Sequence, residues 1–229
     1  MPDTDNSTSP VDYLSAGSIA YAARHGYRVP DINYRRVVAN ARRGKRIAAA
    51  YMAAAGFDPG ALPAFRAFRD ETVSQYAFLT EPASQGDLGV TVEVCQHDPY
   101  TDAMAMISDL RNHRLLKVYA TGGPGNKHPF LTNTENDMFR AVHDAFGHAS
   151  IGRGFDRHGE EAAWLKHSSM YSPLARQALT TETRGQNCAL VFHYQGRRFA
   201  EQKIVLLPEE FSDIGNVSFS EEPGSKHDR

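Results

Sequence analysis

Two histidines five residues apart are the residues of this chain best suited to chemistry. They stand at the ends of His143-Asp-Ala-Phe-Gly-His148, in a stretch whose apolar residues recur at helical spacing. Imidazole nitrogens are common metal ligands, and two of them near one helix end can begin a metal site. The pattern therefore predicts a helix that buries one apolar face and a metal ion held by His143 and His148.

The spacing of the two histidines restricts the kind of site. On a straight α-helix, residues five apart point about 140° away from each other. The rings can converge only if the helix ends, tightens or bulges between them, and Gly147 is the residue type that permits this. Zinc peptidases use His-Glu-x-x-His, whose Glu is the base. The longer spacing here and the shorter acid, Asp144, argue against peptide hydrolysis.

A metal site of this kind needs a third protein ligand, and the candidates are downstream carboxylates. We favour Glu182, because the threonines, Arg184 and amides around it can orient a ligating carboxylate. The alternative is that Glu182 and Arg184 belong to a buried polar network that holds no metal. Glu161 is the second candidate for the third ligand and Glu160 the third.

The ligand types leave three functions open. Two histidines and one carboxylate, with further coordination positions free, are typical of non-haem iron(II) oxygenases. Zinc hydrolases can use the same ligand types. A non-catalytic binding or structural protein could instead use both histidines as core residues. Two further histidines, His158 and His167, are expected to be surface or structural residues.

The histidine segment resembles the His-Glu-Leu-Leu-Gly-His motif of the aromatic amino acid hydroxylases. These are pterin-dependent, non-haem iron enzymes with a mostly helical catalytic domain. Thr180-Thr-Glu182 resembles the family's segment with the third iron ligand, and Phe199 to Pro208 resembles a later segment. The resemblance covers roughly residues 130–210 and implies the iron ligands His143, His148 and Glu182.

The chain departs from that family at two positions near the motif. Asp144 stands where the family has a Glu that helps pterin use, and Ser150 stands where it has a Pro. These differences argue against a pterin and against aromatic substrates. The segments Glu135–Asp144 and Thr181–Asn187 are also similar to a group of uncharacterised bacterial and phage proteins, and that similarity implies no activity.

We favour an iron(II)-dependent oxygenase that uses O₂ to oxidise a small polar substrate. Asp144 and Arg184 are predicted to orient the metal ligands or to bind substrate or cosubstrate. Arg140, one turn before His143, is predicted to meet an anionic group of the substrate, or else to form a surface ion pair. Tyr171 is predicted to line the pocket or simply to pack.

The elements that must position these residues are mostly helical. The apolar periodicity predicts a mainly α fold with a small β element, in a single helical metal-binding domain over 11–211. Residues 1–10 are expected to be disordered and 212–229 to form a flexible tail. Helices are expected at about 11–24, 33–55, 63–79, 101–112, 160–167 and 173–190 and through both histidines, and strands at 90–95 and 115–120.

Composition excludes several classes of partner. The formal net charge of −2 gives no electrostatic case for nucleic-acid binding. No run approaches the roughly 18 apolar residues of a membrane span, and the polar N-terminus does not resemble a signal peptide. The two cysteines do not form a disulfide framework, so a cytoplasmic location is expected. The sequence does not decide whether the protein forms a homo-oligomer.

Overall fold

The computed structural model of the chain describes residues 7–82, 86–122 and 127–220. These residues form a mainly helical fold with a small β component, which confirms the predicted fold class. The α-helices are α1 (Asp12–Arg24), α2 (Ala41–Ala53), α3 (Leu62–Thr80), α4 (Ala103–His113), α5 (Asn133–Val142), α6 (Arg157–Ser168), α7 (Pro173–Thr180) and α8 (Gln186–Cys188). The strands are β1 (Val37–Val38), β2 (Thr91–Cys95), β3 (Leu115–Tyr119) and β4 (Ser218–Phe219). None of the described helices combines the length and the hydropathy that a membrane crossing requires.

Helix α3 lies at the centre of the main hydrophobic core, where it packs against α5 and α7. Its Phe65 and Phe68 are fully buried. The Phe68 ring lies 4.9 Å from the ring of Phe139 on α5 and 5.7 Å from that of Tyr171. Burial of a side chain of this size contributes about 1.5–3 kcal/mol. This packing fixes α5, the helix that leads directly into the histidine segment.

A parallel βαβ unit flanks α5. Strands β2 and β3 pair in parallel, with Thr91 opposite Leu115 and Cys95 opposite Tyr119. Parallel neighbours need a crossover connection, and α4 supplies it. The two strands and the helix between them lie within two residues of their predicted bounds.

The helix predicted over 33–55 is wrong in its first part. Asn33 caps a short 3-10 turn, Tyr34–Arg36, and β1 follows directly. Asn40 then caps α2 through its side chain, so the helix begins at Ala41. Asn is a strong N-cap residue and β-branched Val favours extended backbone, which explains the late start.

The first residues of the predicted flexible tail are packed. Strand β4 pairs antiparallel with β1, with Phe219 opposite Val37. Ile214 and Val217 pack against a cluster of buried hydrophobic residues. The flexible tail predicted over 212–229 therefore differs from the structure up to Ser220, and 221–229 lie outside the described residues.

The other chain end also makes backbone contacts. The N–H of Thr8 donates to the carbonyl of Gly152 over 2.8 Å, and the N–H of Val11 donates to that of Ala149 over 2.9 Å. The disorder predicted for 1–10 therefore does not extend through 7–10, and 1–6 lie outside the described residues. These bonds attach the start of the chain to the segment after the second histidine.

Two of the predicted helices contain widened π-helical turns. The helix predicted over 173–190 runs as α7, a π-helical segment Thr181–Gly185, α8 and a second π-helical segment Ala189–His193. A third π-helical segment, His143–Ala149, continues α5. Such turns are frequent at functional sites.

We predict that Gly159→Ala destabilises the protein by about 3 kcal/mol, the cost of overpacking a tight contact. A Cβ at Gly159 would overlap the carbonyl oxygen of Gly154, so the start of α6 would have to move. The matched control is Gly56→Ala, where a Cβ meets no atom within 4 Å. Urea denaturation of both variants checks this, and equal midpoints for the two would contradict it.

Candidate metal centre

The π-helical segment brings the two histidines to one side of the helix. A π-helix bonds residue i to residue i+5, so side chains five apart lie one turn apart. The N–H of Ser150 makes such a bond to the carbonyl of Ala145 over 2.9 Å. The rings of His143 and His148 consequently face each other at right angles, with centroids 5.1 Å apart. The predicted bulge is therefore present, as a widened turn.

Gly147 gives room to this turn, although its own φ is not positive. A Cβ there would lie 3.3 Å from three atoms: Nδ1 of His143 and the Cβ and carbonyl oxygen of Ala163. These distances are shorter than most contacts that a Cβ makes. Glycine therefore allows α6 to approach the histidine segment closely.

Helix α6 supplies a carboxylate to the same place. Asp156 caps the helix by accepting the N–H groups of His158 and Gly159 over 2.9 Å and 3.1 Å. Glu160 therefore projects from the first turn. Its carboxylate oxygens lie 3.9 Å from Nε2 of His143 and 3.6 Å from Nε2 of His148.

These three side chains form a group that could hold a metal ion. One ligand atom from each of His143, His148 and Glu160 lies within 4.8 Å of the others. Two metal–ligand bonds of about 2.1 Å span up to about 4.2 Å, which matches the separations of 3.6 Å and 3.9 Å. Among the described residues, no other His, Cys, Asp or Glu completes such a group.

A buried chain of hydrogen bonds sets the tautomer of His143. The amide nitrogen of Gln75 donates to the carbonyl of Met170 over 3.2 Å, so its oxygen accepts from Nε2 of His167 over 2.9 Å. Nδ1 of His167 is then an acceptor, and Nδ1 of His143 donates to it over 3.2 Å. Because a neutral imidazole carries one N–H, Nε2 of His143 presents its lone pair to Glu160.

A different contact sets the tautomer of His148. Its Nδ1 lies 3.2 Å from the carbonyl oxygen of Arg153, which can only accept. Nε2 of His148 is therefore also unprotonated. When both rings are neutral, two lone pairs and a carboxylate face one another, an arrangement that a metal ion or a proton stabilises.

Burial favours the neutral form of the second histidine. Burial lowers the pKa of His148 to about 4, and it also lowers that of His167 well below its usual value. Burial by itself would raise the pKa of Glu160, but its attraction to the protonated forms of His148 and His143 outweighs burial and lowers that pKa. At neutral pH His148 is therefore neutral and Glu160 ionised, as metal binding requires.

The predicted third ligand, Glu182, is not a member of this group and lies elsewhere. Its Oε1 is 3.0 Å from Nε2 of His128, without good hydrogen-bond alignment. Its Oε2 accepts from Gln186 over 2.8 Å. Glu182 projects from the π-helical turn after α7, whereas the histidines converge with α6. We therefore replace Glu182 by Glu160 as the candidate third ligand.

Arg184 and Glu161 pair with each other away from the metal ligands. The Arg184 guanidinium donates to both carboxylate oxygens of Glu161, one bond measuring 3.0 Å. It also lies 3.7 Å above the Trp164 ring and donates to the carbonyl of Phe211. No described contact joins Arg184 to His143, His148 or Glu160. Arg184 therefore belongs to a buried polar network, which was the alternative to a role beside the metal. Its carboxylate partner in that network is Glu161 and not Glu182.

Asp144 and Arg140, two of the predicted substrate or orienting residues, lie near His143. Burial raises the pKa of Asp144 to about 7, with His143 opposing the rise and Glu160 adding to it. Arg140 donates to the carbonyl of Tyr119 over 3.1 Å, and its charge also acts on Asp144. Both residues therefore lie beside the candidate metal centre without being members of its ligand group.

Tyr171 was predicted either to line the pocket or to pack. Its side chain is fully buried, so it packs. Its hydroxyl lies 2.8 Å from Oγ1 of Thr72, and its ring centroid is 5.0 Å from that of His167. Tyr171 therefore holds the face of His167, which in turn contacts His143.

Sequence reasoning placed Glu160 last and missed the roles of His167 and Gln75. A signal for Glu160 was present, because Asp156 is a preferred N-cap residue and predicts a helix start just before Glu160. Gln75 and His167 are 92 residues apart in the chain and belong to different helices, so no local pattern connects them. His167 is structural, as expected, but it also supports a candidate ligand.

No protein-family model, no curated protein and no solved structure matches this chain. The candidate centre therefore rests on its own geometry.

We predict that His143→Ala, His148→Ala and Glu160→Ala each weaken binding of Co(II) by more than about 100-fold, because each removes a ligand rather than a supporting contact. Glu182→Gln is the matched control and should retain wild-type affinity. Equilibrium dialysis with metal analysis gives the affinities. Loss of binding in Glu182→Gln together with retention in Glu160→Ala would reverse the assignment.

We predict a pH-dependent difference in stability between the metal-free wild type and Asp144→Asn. A carboxyl whose pKa is about 7 when folded and 3.8 when unfolded stabilises the fold at low pH, and this stabilisation is lost as the pH rises through about 7. The amide of Asp144→Asn does not ionise, so the stability of this variant does not fall for this reason as the pH rises. Urea unfolding at pH 5 and pH 8 in EDTA, with the exposed Asp70→Asn as control, measures the difference. An equal pH dependence of wild type and Asp144→Asn would contradict it.

Proposed function

We propose that this protein is a non-haem iron(II)-dependent oxygenase that acts on a small polar substrate. The observation that supports it is the convergence of two imidazole nitrogens and one carboxylate, from His143, His148 and Glu160, within 4.8 Å of one another. Two histidines, one carboxylate and free coordination positions are the ligand set of the non-haem iron(II) oxygenases. Iron held there would supply the activation of O₂.

The resemblance of the histidine segment to the aromatic amino acid hydroxylases supports iron over zinc. Both motifs place the histidines five apart with a Gly before the second. The carboxylate differs, since Glu160 follows His148 by 12 residues whereas Glu182, the residue matched to the family's ligand, follows it by 34. The resemblance to that family therefore supports the metal and the reaction class, but not the position of the third ligand.

The exposure of the three side chains indicates from which side a substrate would approach. The His143 and Glu160 side chains are 13% and 23% exposed, whereas that of His148 is 1% exposed. The ring of Phe155, which is itself 44% exposed, covers the edge of His148 at a centroid distance of 4.9 Å. A substrate would thus reach the centre past His143 and Glu160.

The cavity beside Glu160 is too small to hold a substrate. Its volume is about 20 Å³, enough for about one water molecule, and neither His143 nor His148 lines it. The small polar substrate therefore stays a prediction from the sequence.

The proposal predicts that the protein prepared without oxygen binds one Fe(II) and that nitric oxide then gives the high-spin electron paramagnetic resonance signal of a ferrous nitrosyl. That signal requires a free coordination position and does not depend on knowing the substrate. The Fe(II)-loaded protein should also consume O₂ with ascorbate faster than Fe(II) in buffer. Glu160→Ala should show neither property, whereas Glu182→Gln should show both.

Two outcomes would overturn the proposal. Stoichiometric zinc that Fe(II) cannot replace, with no nitrosyl signal, would indicate the hydrolase alternative. Failure to bind Fe(II), Co(II) or Zn(II) would show that the histidines belong to a non-catalytic protein.

A further inference from the structure

A second cleft lies between α1, the segment after it and Lys166 of α6. The cleft volume is about 580 Å³, within the range of small-molecule pockets. Its walls come from α1, the segment 27–35, Ser150, Ile151 and Lys166. None of His143, His148 and Glu160 lines it, so it is separate from the candidate metal centre.

Lys166 lies at the buried end of this cleft. Its side chain belongs to a residue that is only 2% exposed, and Ser150 and Ile151 beside it are also buried. The rim, by contrast, carries exposed residues such as Arg28 and Asp31. The gradient of burial places the Lys166 ammonium at the floor and the solvent opening at the rim.

The Lys166 ammonium has no carboxylate partner and no hydrogen-bond acceptor among the described residues. Its one described polar contact is with the Tyr34 ring, whose centroid lies 5.6 Å from Nζ. Burial, with no charged group contributing, lowers the pKa of Lys166 to about 8. A buried ammonium without an anionic partner is costly, and most such groups are paired.

The other lining groups also favour an anion. Three cationic side chains, Arg28, Arg35 and Lys166, line the cleft against one acidic side chain, Asp31. Arg35 already donates to the carbonyl of Thr8 over 3.0 Å, which leaves Lys166 as the buried cation available to a ligand. One buried positive charge matches a monoanion such as a carboxylate, whereas phosphate sites typically use several donors.

The walls between floor and rim are largely apolar. They are formed by the side chains of Ile19, Tyr27, Val29, Pro30, Ile32, Tyr34 and Ile151. Ile19 is 53% exposed although it is a large apolar residue, which a ligand in the cleft would partly cover. A ligand that fits therefore combines one anionic head with an apolar body.

We propose that this cleft binds a small amphipathic carboxylate, whose carboxylate pairs with the Lys166 ammonium while its apolar body lies against the tyrosine and isoleucine side chains. The site does not depend on the proposed oxygenase activity, because it shares no residue with the metal centre.

Isothermal titration calorimetry with phenylacetate and octanoate tests the proposal, with phenylacetamide as a neutral match for phenylacetate. We expect both acids to saturate one site, and phenylacetamide to bind at least about tenfold more weakly, because a hydrogen bond to a charged group is lost. Lys166→Met should weaken phenylacetate binding to the same extent. Lys45→Met, at an exposed lysine of α2 outside the cleft, should have no effect.

Carboxylates also coordinate metals, so the titrations are run in EDTA and repeated with Glu160→Ala. Binding that persists in both supports the cleft, and binding that is lost in both assigns the acids to the metal centre and overturns the proposal. If Lys166→Met does not fold, ¹³C-methylated lysines of the wild type provide the readout. One lysine resonance should then shift with phenylacetate and not with phenylacetamide. Equal binding of acid and amide would also overturn the proposal.

Discussion

The candidate metal centre depends on one buried chain of hydrogen bonds, from the Met170 carbonyl through Gln75 and His167 to His143. Gln75, His167 and Met170 are fully buried, so each of their polar groups must find a partner or incur a desolvation penalty of about 1–3 kcal/mol. Satisfying all of them fixes the direction of every donor. The orientation of an amide on α3 thereby decides which nitrogen of His143 is free.

The same chain of bonds joins the elements of the fold. Gln75 lies on α3, His167 on α6 and His143 on the π-helical segment after α5, and Met170 lies between α6 and α7. These helices already pack through apolar side chains such as Phe68 and Phe139. Apolar packing brings them together, and the polar chain selects one arrangement of the rings within that core.

Charged side chains with little solvent exposure make two kinds of contact among the described residues. The Glu161 carboxylate pairs with Arg184, and Glu182 accepts a hydrogen bond from Gln186. The Glu160 carboxylate instead lies against two histidine rings, and the Lys166 ammonium faces a cleft without an acidic side chain at its floor. We propose that a cation binds at the first of these two places and an anion at the second.

The sequence by itself determined the helical class, the positions of two strands and of the helix between them, and the need for a distorted helix between His143 and His148, because periodicity, β-branching and five-residue spacing are local properties. It could not identify the third carboxylate. Polar neighbours in the sequence favoured Glu182, but the role of each carboxylate depends on which partner the packing of α6 and α7 places beside it. The sequence also gave no indication of the Gln75–His167 contact or of the Lys166 cleft. Both join residues more than 90 positions apart, and only the tertiary structure brings such residues together.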